Sequence, residues 1–267
     1  MFYHNITPHE FFINIHSHLV RQIVYGRKEL QKYVSLFSSA IADSEYNKSE
    51  LEKYGYTNVV YFPIKPVLEN FNSENTSSLR KLLQDGKQNI LFVGRVTPNK
   101  GHADLIKSFY FLNKSGFRNT RLIMVGEYAG FEKYYWWLQD LCSKLKLDNV
   151  LFPGLVDYDD LIDYYRAADL FVCLSQHEGF CVPLVEAMYF RIPVIALGKT
   201  AVPDTMKNAG LVITEIDYWK IAELMGIMLE DSELRDRVLK KQDEVYRYYQ
   251  SFDLDSNLKI HLKPYLK

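Results

Sequence analysis

From residue 89 onward, short apolar runs alternate with longer segments in which apolar residues recur at helical spacing. Each run has the length of a buried strand, and each longer segment has the length of a surface helix. This alternation is typical of a parallel sheet with helices on both faces, so we expect an α/β fold with a doubly wound sheet. The predicted strands are 89–93, 121–127, 149–154, 169–175, 193–197 and 210–214, and two helices follow the last of them.

The first 66 residues repeat the pattern on a smaller scale. Strands are predicted in FYHNI, SSAIADS and NVVYFPI, with a long helix over 11–34 and a shorter one over 45–55 between them. Three strands with two helices amount to part of a doubly wound domain. The predicted division is a partial N-terminal domain (1–66), a linker (67–88) rich in Asn, Ser and Lys, a main domain (89–250) and a C-terminal helix (251–267) that packs back on the N-terminal part.

The composition excludes several classes of protein. Of the 267 residues, 48% are hydrophobic and 24% are charged, which argues for a real core and against disorder. A net charge of −1 gives no support to a nucleic-acid partner, which usually requires a basic face. The three cysteines have no metal-binding spacing and favour a reducing compartment. With neither a signal peptide nor a membrane-spanning run visible, we expect a cytoplasmic protein.

Two glutamates stand eight positions apart in HEGFCVPLVEAM (177–188). The predicted strand before this stretch ends at its start, and ligands bind open parallel sheets outside the carboxyl ends of the strands. Pro183 suits the first turn of the next helix, which places Glu178 in a loop and Glu186 in the first helical turn. Gly179 lets a ligand approach the backbone, and amides at the helix N-terminus favour an anion. The pattern fits a nucleotide sugar, in which a diphosphate separates two polyols.

A basic loop supports the same interpretation. Arg95 and Lys100 lie in GRVTPNKGH (94–102), directly after a predicted strand. Two cations on a tight loop at the carboxyl end of a strand can clamp a diphosphate. Taken alone, such a loop is more often a solvated surface. Its expected position on the same sheet edge as Glu178 is what favours phosphate binding.

Five motifs between residues 89 and 215 occur in an order that resembles a known family. They are E-x7-E (Glu178 to Glu186), GR-x4-KG (Arg95 to Lys100), VGE (125–127), FPGLV (152–156) and AGLVI (209–213). In this order and spacing they resemble the C-terminal, donor-binding domain of the family 4 retaining glycosyltransferases. That family has the GT-B fold, with two Rossmann-like domains. Residues 3–8 and 42–55 resemble the later part of its N-terminal domain.

The resemblance implies roles for individual residues. Arg95 and Lys100 are expected to bind the diphosphate and to stabilise its charge as the glycosidic bond breaks. Glu178 is expected to hold hydroxyls of the donor sugar, and Glu186 to hold the ribose hydroxyls. His4 matches the histidine that faces the cleft from the N-terminal domain, and with Glu178, Arg95 and Lys100 it completes the expected catalytic set. The other expected donor-binding residues are Gly94, Gly126, Leu155 and Val156 near the base, Gly179, the amides of Phe180, Cys181 and Val182, and Leu184 near the nucleoside.

By the same resemblance, the protein transfers a hexose to a glycan or lipid-linked acceptor with retention of configuration, with UDP-glucose as the default donor. No metal or other cofactor is implied, because cations and amides stabilise the departing diphosphate. Glu178 is expected to bind the sugar, although it can also be argued to be a covalent nucleophile. Two alternatives stay open: a module that binds the nucleotide sugar without transferring it, and a sugar phosphorylase on the same fold.

Two departures from the family pattern affect these expectations. Cys181 stands where the family often has glycine, which alters the shape of the sugar pocket. The family's N-terminal domain has several strands before its histidine, whereas here Met1 precedes His4 by three residues. We therefore expect one of three situations: an upstream portion of this domain has been lost, it lies on another polypeptide, or the protein has a reduced acceptor domain. Exposed sheet edges favour a partner chain or self-association.

Two charged segments have simpler interpretations than the functional ones they suggest. The basic helix with Arg21, Arg27, Lys28 and Lys32 is the candidate for peripheral membrane contact, but a solvated helix face is the simpler interpretation. The acidic run 157–160 imitates a metal-binding DxD motif. We predict instead that Asp157 caps the helix that follows.

Overall fold

Two parallel sheets organise the described part of the chain, residues 1–66 and 78–265 of a computed structural model. The smaller sheet has the order β1-β2-β3, formed by Phe2–Tyr3, Ala40–Ala42 and Val59–Tyr61. Helices α1 (Ser17–Lys32) and α2 (Glu45–Tyr54) connect its strands. Its small core includes Tyr3, Leu30, Leu51 and Tyr56.

The larger sheet has six parallel strands in the order β6-β5-β4-β7-β8-β9. Its central strands are buried on both faces, as their near-continuous apolar sequences require. The strand order reverses between β4 and β7, which opens a crevice at their carboxyl ends. The strands are β4 (Gln88–Val93), β5 (Thr120–Val125), β6 (Val150–Gly154), β7 (Leu170–Cys173), β8 (Val194–Leu197) and β9 (Leu211–Ile213).

Helices cover the larger sheet and enclose the main hydrophobic core. Three of them follow strands β4, β5 and β7, so that their N-termini point toward the carboxyl edge of the sheet. The helices are α3 (Ser78–Leu83), α4 (His102–Lys114), α5 (Glu132–Lys144), α6 (Tyr158–Arg166), α7 (Val182–Tyr189), α8 (Val202–Met206), α9 (Tyr218–Glu230), α10 (Ser232–Ser251) and α11 (Leu254–Leu262).

The predicted fold class, α/β with doubly wound parallel sheets, is confirmed, and every described strand overlaps a predicted apolar run. The long helix predicted over 11–34 is wrong at its start. A short 3-10 helix (His9–Phe12) comes first, and α1 begins only at Ser17. Asn14 has a φ of 65°, which interrupts the helix, and Nδ1 of His16 then caps α1 by accepting from the amide of Leu19 at 3.2 Å.

Helix α3 lies within the segment predicted as a linker, of which residues 67–77 lie outside the described residues. The proposed domain boundaries stay predictions. The C-terminal segment contacts the smaller unit, since Nε2 of His261 lies 2.6 Å from the hydroxyl of Ser39. The rings of Phe252 and His261 also pack near the ring of Phe62. Their centroids lie 6.0 and 5.9 Å, respectively, from the centroid of the Phe62 ring.

The two units pack directly against each other. Phe131, which precedes α5, is buried against Phe12 and Ile23 of the smaller unit. The amide of Tyr46 donates to Oδ2 of Asp204 at 2.8 Å, which adds a polar contact across the same boundary. These contacts hold the smaller unit over the crevice of the larger sheet.

Glycines allow the loops at the carboxyl edge to approach each other closely. Gly101 has a φ of 72°, and a Cβ there would overlap the carbonyl oxygen of Leu174, which follows β7. A Cβ on Gly126 would overlap the carbonyl oxygen of Gly94 in the same way. The loops after β4, β5 and β7 therefore pack backbone against backbone, because no side chain separates them.

Replacing Gly101 by alanine should lower the free energy of unfolding by more than about 2 kcal/mol, because the new Cβ meets backbone that cannot move aside. Gly86→Ala is the matched control. Gly86 also has a positive φ, of 88°, but nothing lies within 4 Å of its missing Cβ. Its cost should be about 1 kcal/mol, from the backbone conformation alone. Equal losses in urea unfolding of the two variants would contradict the close packing at Gly101.

Candidate functional site

A cavity of about 390 Å³ lies at the crevice, between the smaller unit and the carboxyl ends of β4 and β7. Its charged lining includes Arg95, Lys100 and Glu178 from the larger unit, and His4 faces them from the smaller one. A larger cavity of about 630 Å³ lies beside Lys87, at the amino ends of the strands. Because open parallel sheets bind ligands at the carboxyl ends, the smaller cavity is the candidate site.

Lys100 and Glu178 form an ion pair in this cavity, although 78 positions separate them in sequence. The ammonium donates to both carboxylate oxygens, at 2.7 and 2.8 Å. Glu178 is 7% exposed, and its amide donates to the hydroxyl of Thr200 at 2.8 Å. Burial alone would lower the pKa of Lys100, but the charge of Glu178 outweighs it and raises that pKa. Lys100 is therefore charged at neutral pH.

Arg95 lies at the same edge but makes no ion pair with Glu178. Its guanidinium donates to the carbonyl of Ala129 at 3.2 Å and lies 5.7 Å from the ring centroid of Phe131. The side chain is exposed to the cleft. The structure thus brings the two predicted phosphate-binding cations and Glu178 to one sheet edge, and it leaves the charge of Arg95 facing open space.

The N-terminus of α7 follows the Glu178 loop. Cys181 precedes the helix with a φ of 74°, a conformation that glycine adopts more readily. Glu186 is the fifth residue of α7, so the expectation that it lies in the first turn is wrong. It accepts from the hydroxyl of Tyr165 at 2.6 Å, and burial raises its pKa. The other oxygen of its carboxylate can accept a hydrogen bond from a ligand hydroxyl.

Gly179 serves a contact that its sequence context does not reveal. A Cβ there would overlap the backbone carbonyl oxygen of His4. The amide of Asn47 also donates to the carbonyl of Gly179 at 3.2 Å. The smaller unit therefore already lies against the backbone of Gly179, where a ligand was predicted to approach.

The remaining predicted donor-binding residues lie in different environments. Leu184 is fully buried in the main core, so the prediction that its side chain packs near a nucleoside does not agree with this conformation. The side chains of Phe180 and Cys181 are also buried, which leaves only their backbone for a ligand. Leu155 is 76% exposed at the end of β6, with the half-buried Val156 next to it. Val182 is half-buried, while Gly94 and Gly126 form the packed turns after β4 and β5.

His177 is a cleft residue that the sequence pattern did not identify. It is 4% exposed, its Nε2 has no hydrogen-bond partner, and Asn99 donates to its carbonyl at 3.3 Å. Burial lowers the pKa of His177 to about 4, so the ring is neutral at physiological pH. No sequence signal distinguishes it from a surface histidine, since its burial depends on the rings of Phe11 and Tyr46, which lie on the smaller unit.

Two thiols lie behind the acidic loop. Sγ of Cys173 is 3.9 Å from Sγ of Cys181, and both lie within 4.8 Å of a carboxylate oxygen of Glu178. This is an arrangement of metal-ligand atoms, but both oxygens of Glu178 already accept from Lys100. The metal-free expectation stays a prediction.

The structure agrees with the simpler interpretation for the acidic run 157–160, and in part for the basic helix. The capping role of Asp157 is confirmed, because its carboxylate accepts from the amide of Asp160 at 2.9 Å. Arg27 does not lie on a free basic face, because it pairs with Glu50 at 3.0 Å and donates to Tyr54. In the part of the chain that the structure describes, no helix is long and apolar enough to span a membrane.

Lys100→Ala should lower the free energy of unfolding by about 3 kcal/mol, because it leaves the buried carboxylate of Glu178 without its counter-charge. The control is Lys144→Ala, which removes a lysine whose pair with Asp140, 2.6 Å apart, is exposed on α5. That variant should lose less than about 0.5 kcal/mol. Urea unfolding of both variants measures these losses in the free energy of unfolding. Similar losses would show that the buried pair contributes no more to stability than the exposed one.

Stability should fall as the pH drops from the ordinary histidine value toward about 4. In this window the unfolded chain protonates His177, whereas the folded chain keeps it neutral, so protons favour unfolding. His177→Phe cannot take up this proton and should lose less stability between about pH 7 and about pH 5. Urea unfolding at the two pH values tests this. A pH dependence identical to that of the wild type would contradict the burial of His177.

Comparison with known proteins places this geometry in a family. Residues 74–245, more than half of the chain, match the sequence model of the glycosyl transferases group 1. The capsular polysaccharide biosynthesis glycosyltransferase CapM of Staphylococcus aureus is 28% identical over 201 residues, which are 72% of this chain and 49% of CapM. The O-antigen chain mannosyltransferase B of Escherichia coli is 30% identical over 146 residues, 55% of this chain and 38% of that protein. The chain spans about half the length of these relatives or less.

The fold has close counterparts among solved structures. The structure of Anabaena Alr3699/HepE in complex with UDP and glucose superposes with a TM-score of 0.75, over 99% of this chain and 70% of that one. At 21% sequence identity this likeness concerns the fold, which is the GT-B fold that the motifs predicted. The chain belongs to the glycosyl transferases group 1 family.

Proposed function

We propose that the cleft binds a nucleotide sugar and that the protein transfers its hexose to a glycan or lipid-linked acceptor. UDP-glucose is the proposed donor, and the transfer proceeds with retention and without a metal. The observation that carries the proposal is the convergence of Arg95 and Lys100 with Glu178 at the point where the strand order reverses.

The charges of the site suit a diphosphate leaving group. When the bond between the sugar and the diphosphate breaks, the electron pair goes to the phosphate oxygen and negative charge builds there. Arg95 faces open space in the cleft, and Lys100 has three donor hydrogens, of which Glu178 uses two at most. The N-terminus of α7 adds positive potential. Together they stabilise the charge without a metal ion.

Glu178 can bind the donor sugar while it keeps Lys100. A carboxylate has about four lone-pair sites, and the ammonium of Lys100 occupies two of them. Hydroxyls of the sugar take the others. Glu186, one of whose oxygens accepts from Tyr165, is proposed to hold the ribose hydroxyls. The exposed Leu155 at the end of β6 gives an apolar surface for the base.

The identity of the donor has two candidates among the relatives. HepE was determined with UDP and glucose, and the O-antigen relative is a mannosyltransferase. Another relative, from Corynebacterium glutamicum, is a GDP-mannose-dependent mannosyltransferase. We retain UDP-glucose as the proposal and take GDP-mannose as the competitor that must be measured beside it.

A binding module without transfer activity is the second candidate function. Such a module would hold the donor with the same residues and would lack turnover.

Calorimetric titration with UDP tests the proposal. Arg95→Ala should weaken UDP binding by about tenfold to a hundredfold, because it removes charge-assisted hydrogen bonds to phosphate. Arg118→Ala is the matched control, since Arg118 lines the cavity at the opposite, amino edge of the sheet. Its affinity for UDP should not change. A loss of affinity in Arg118→Ala alone would place the nucleotide at the wrong edge and contradict the proposal.

The same protein samples decide between donors and between functions. UDP-glucose and GDP-mannose are titrated in parallel, and release of the nucleoside diphosphate is followed with a lipid-linked sugar acceptor. Release that depends on the acceptor supports the transferase. Tight binding of the donor with no acceptor-dependent release supports the binding module instead.

A further inference from the structure

A buried carboxylate lies directly behind His4. Asp43 is 5% exposed, and its Oδ2 lies 2.9 Å from Nδ1 of His4. The sheet register explains the contact. Tyr3 of β1 is paired with Ala42 of β2, so the next residue of each strand, His4 and Asp43, emerges at the same carboxyl edge. Neither residue has this partner by sequence proximity, since 39 positions separate them.

The contact sets which nitrogen of His4 carries the proton. An ionised carboxylate only accepts hydrogen bonds, so Nδ1 of the neutral ring must be the donor. Nε2 then has a free lone pair and acts as an acceptor. The side chain of His4 is 71% exposed and lines the cleft, while the side chain of Asp43 is 6% exposed. The ring therefore presents an acceptor to the cleft, held from behind by a carboxylate.

Asn47 connects this pair to the donor-binding loop. Its side chain is fully buried, and its amide donates to Oδ1 of Asp43 at 2.5 Å and to the carbonyl of Gly179 at 3.2 Å. Its oxygen accepts from the side chain of Asn5. Both hydrogens and the oxygen of the Asn47 amide are thus used. The orientation of His4 is fixed relative to the loop that carries Glu178.

Capping of α2 does not account for Asp43. The hydroxyl of Ser44 already caps this helix by accepting from the amide of Asn47 at 3.1 Å. The carboxylate of Asp43 instead contacts two side chains, and one of them faces the cleft. A buried carboxylate needs hydrogen-bond donors, and these two side chains supply them, so Asp43 in turn holds both side chains in place.

We propose that Asp43 is a positioning residue for the transfer reaction. It holds His4 in the tautomer with Nε2 unprotonated, and through Asn47 it fixes the ring against the donor loop. Nε2 then accepts a hydrogen bond from a hydroxyl of the sugar bound in the cleft. This role rests on the proposed function, but the tautomer it requires exists whether or not the protein turns over.

The first test is the tautomer of His4, measured in long-range proton–nitrogen spectra of protein labelled with nitrogen-15 in its seven histidines. The His4→Gln spectrum identifies the resonances of His4 by their loss. In the neutral form of the ring, the wild type should show a protonated Nδ1 and a bare Nε2. A proton on Nε2 in the wild type would overturn the proposal without any variant of Asp43.

The second test replaces the carboxylate. The amide in Asp43→Asn can donate to Nδ1, so we expect a substantial population of the opposite tautomer and a fall in kcat of at least about tenfold. KM for the donor should stay within about twofold, because the proposed donor contacts of Arg95, Lys100 and Glu178 remain. Glu45→Gln is the control. It removes an exposed carboxylate from the start of the same helix. In this variant the tautomer of His4 and the value of kcat should both match those of the wild type.

The outcomes separate the two proposals. An unchanged tautomer and kcat in a folded Asp43→Asn protein would overturn the positioning role. An equal loss from Glu45→Gln would overturn it as well, because the effect would then belong to the helix terminus. If the wild type fails to bind either nucleotide donor, the proposed function fails, while the spectra still decide the tautomer. If Asp43→Asn does not fold, the wild-type tautomer decides alone.

Discussion

The ion pair between Lys100 and Glu178 is the interaction on which the geometry of the cleft depends. The two residues come from loops that are far apart in sequence, and the carboxylate is buried. A buried charge requires its partner, so the loops after β4 and β7 must lie side by side. Strands β4 and β7 are adjacent in the sheet, at the point where the strand order reverses, and their pairing provides this arrangement. Sheet topology and site chemistry are therefore parts of one constraint.

Glycines allow the loops that this topology brings together to approach each other closely. At Gly101 and Gly126, loops of the larger unit meet backbone to backbone, and at Gly179 the smaller unit does the same with the carbonyl of His4. A side chain at any of these positions would separate surfaces that now touch. The width of the cleft is consequently set by the backbone, and the side chains that line it extend from closely packed loops. This is the kind of preorganisation that electrostatic stabilisation of a leaving group requires.

Much of this arrangement was predictable from sequence, because alternating apolar runs and the carboxyl-edge rule depend only on local pattern and topology. They placed the strands, and they brought Arg95 and Lys100 to the same edge as Glu178. What escaped prediction depends on contacts between distant segments. The burial of His177 requires rings from the smaller unit, and the contact of Asp43 with His4 requires the register of β1 and β2. The core position of Leu184 follows from how α7 packs, which one apolar residue in a helix does not reveal.

The balance of charge in the cleft is the physical basis for the proposed binding of a diphosphate. Lys100 and Glu178 neutralise each other, and His177 is neutral, so Arg95 and the N-terminus of α7 provide the net positive potential. An arriving diphosphate would meet that potential first and would then share the ammonium of Lys100 with Glu178. Each hydrogen bond that Lys100 would give to phosphate would free a lone pair on Glu178, beside the position proposed for the sugar. Phosphate binding and sugar binding would thereby strengthen each other, because both draw on the same ion pair.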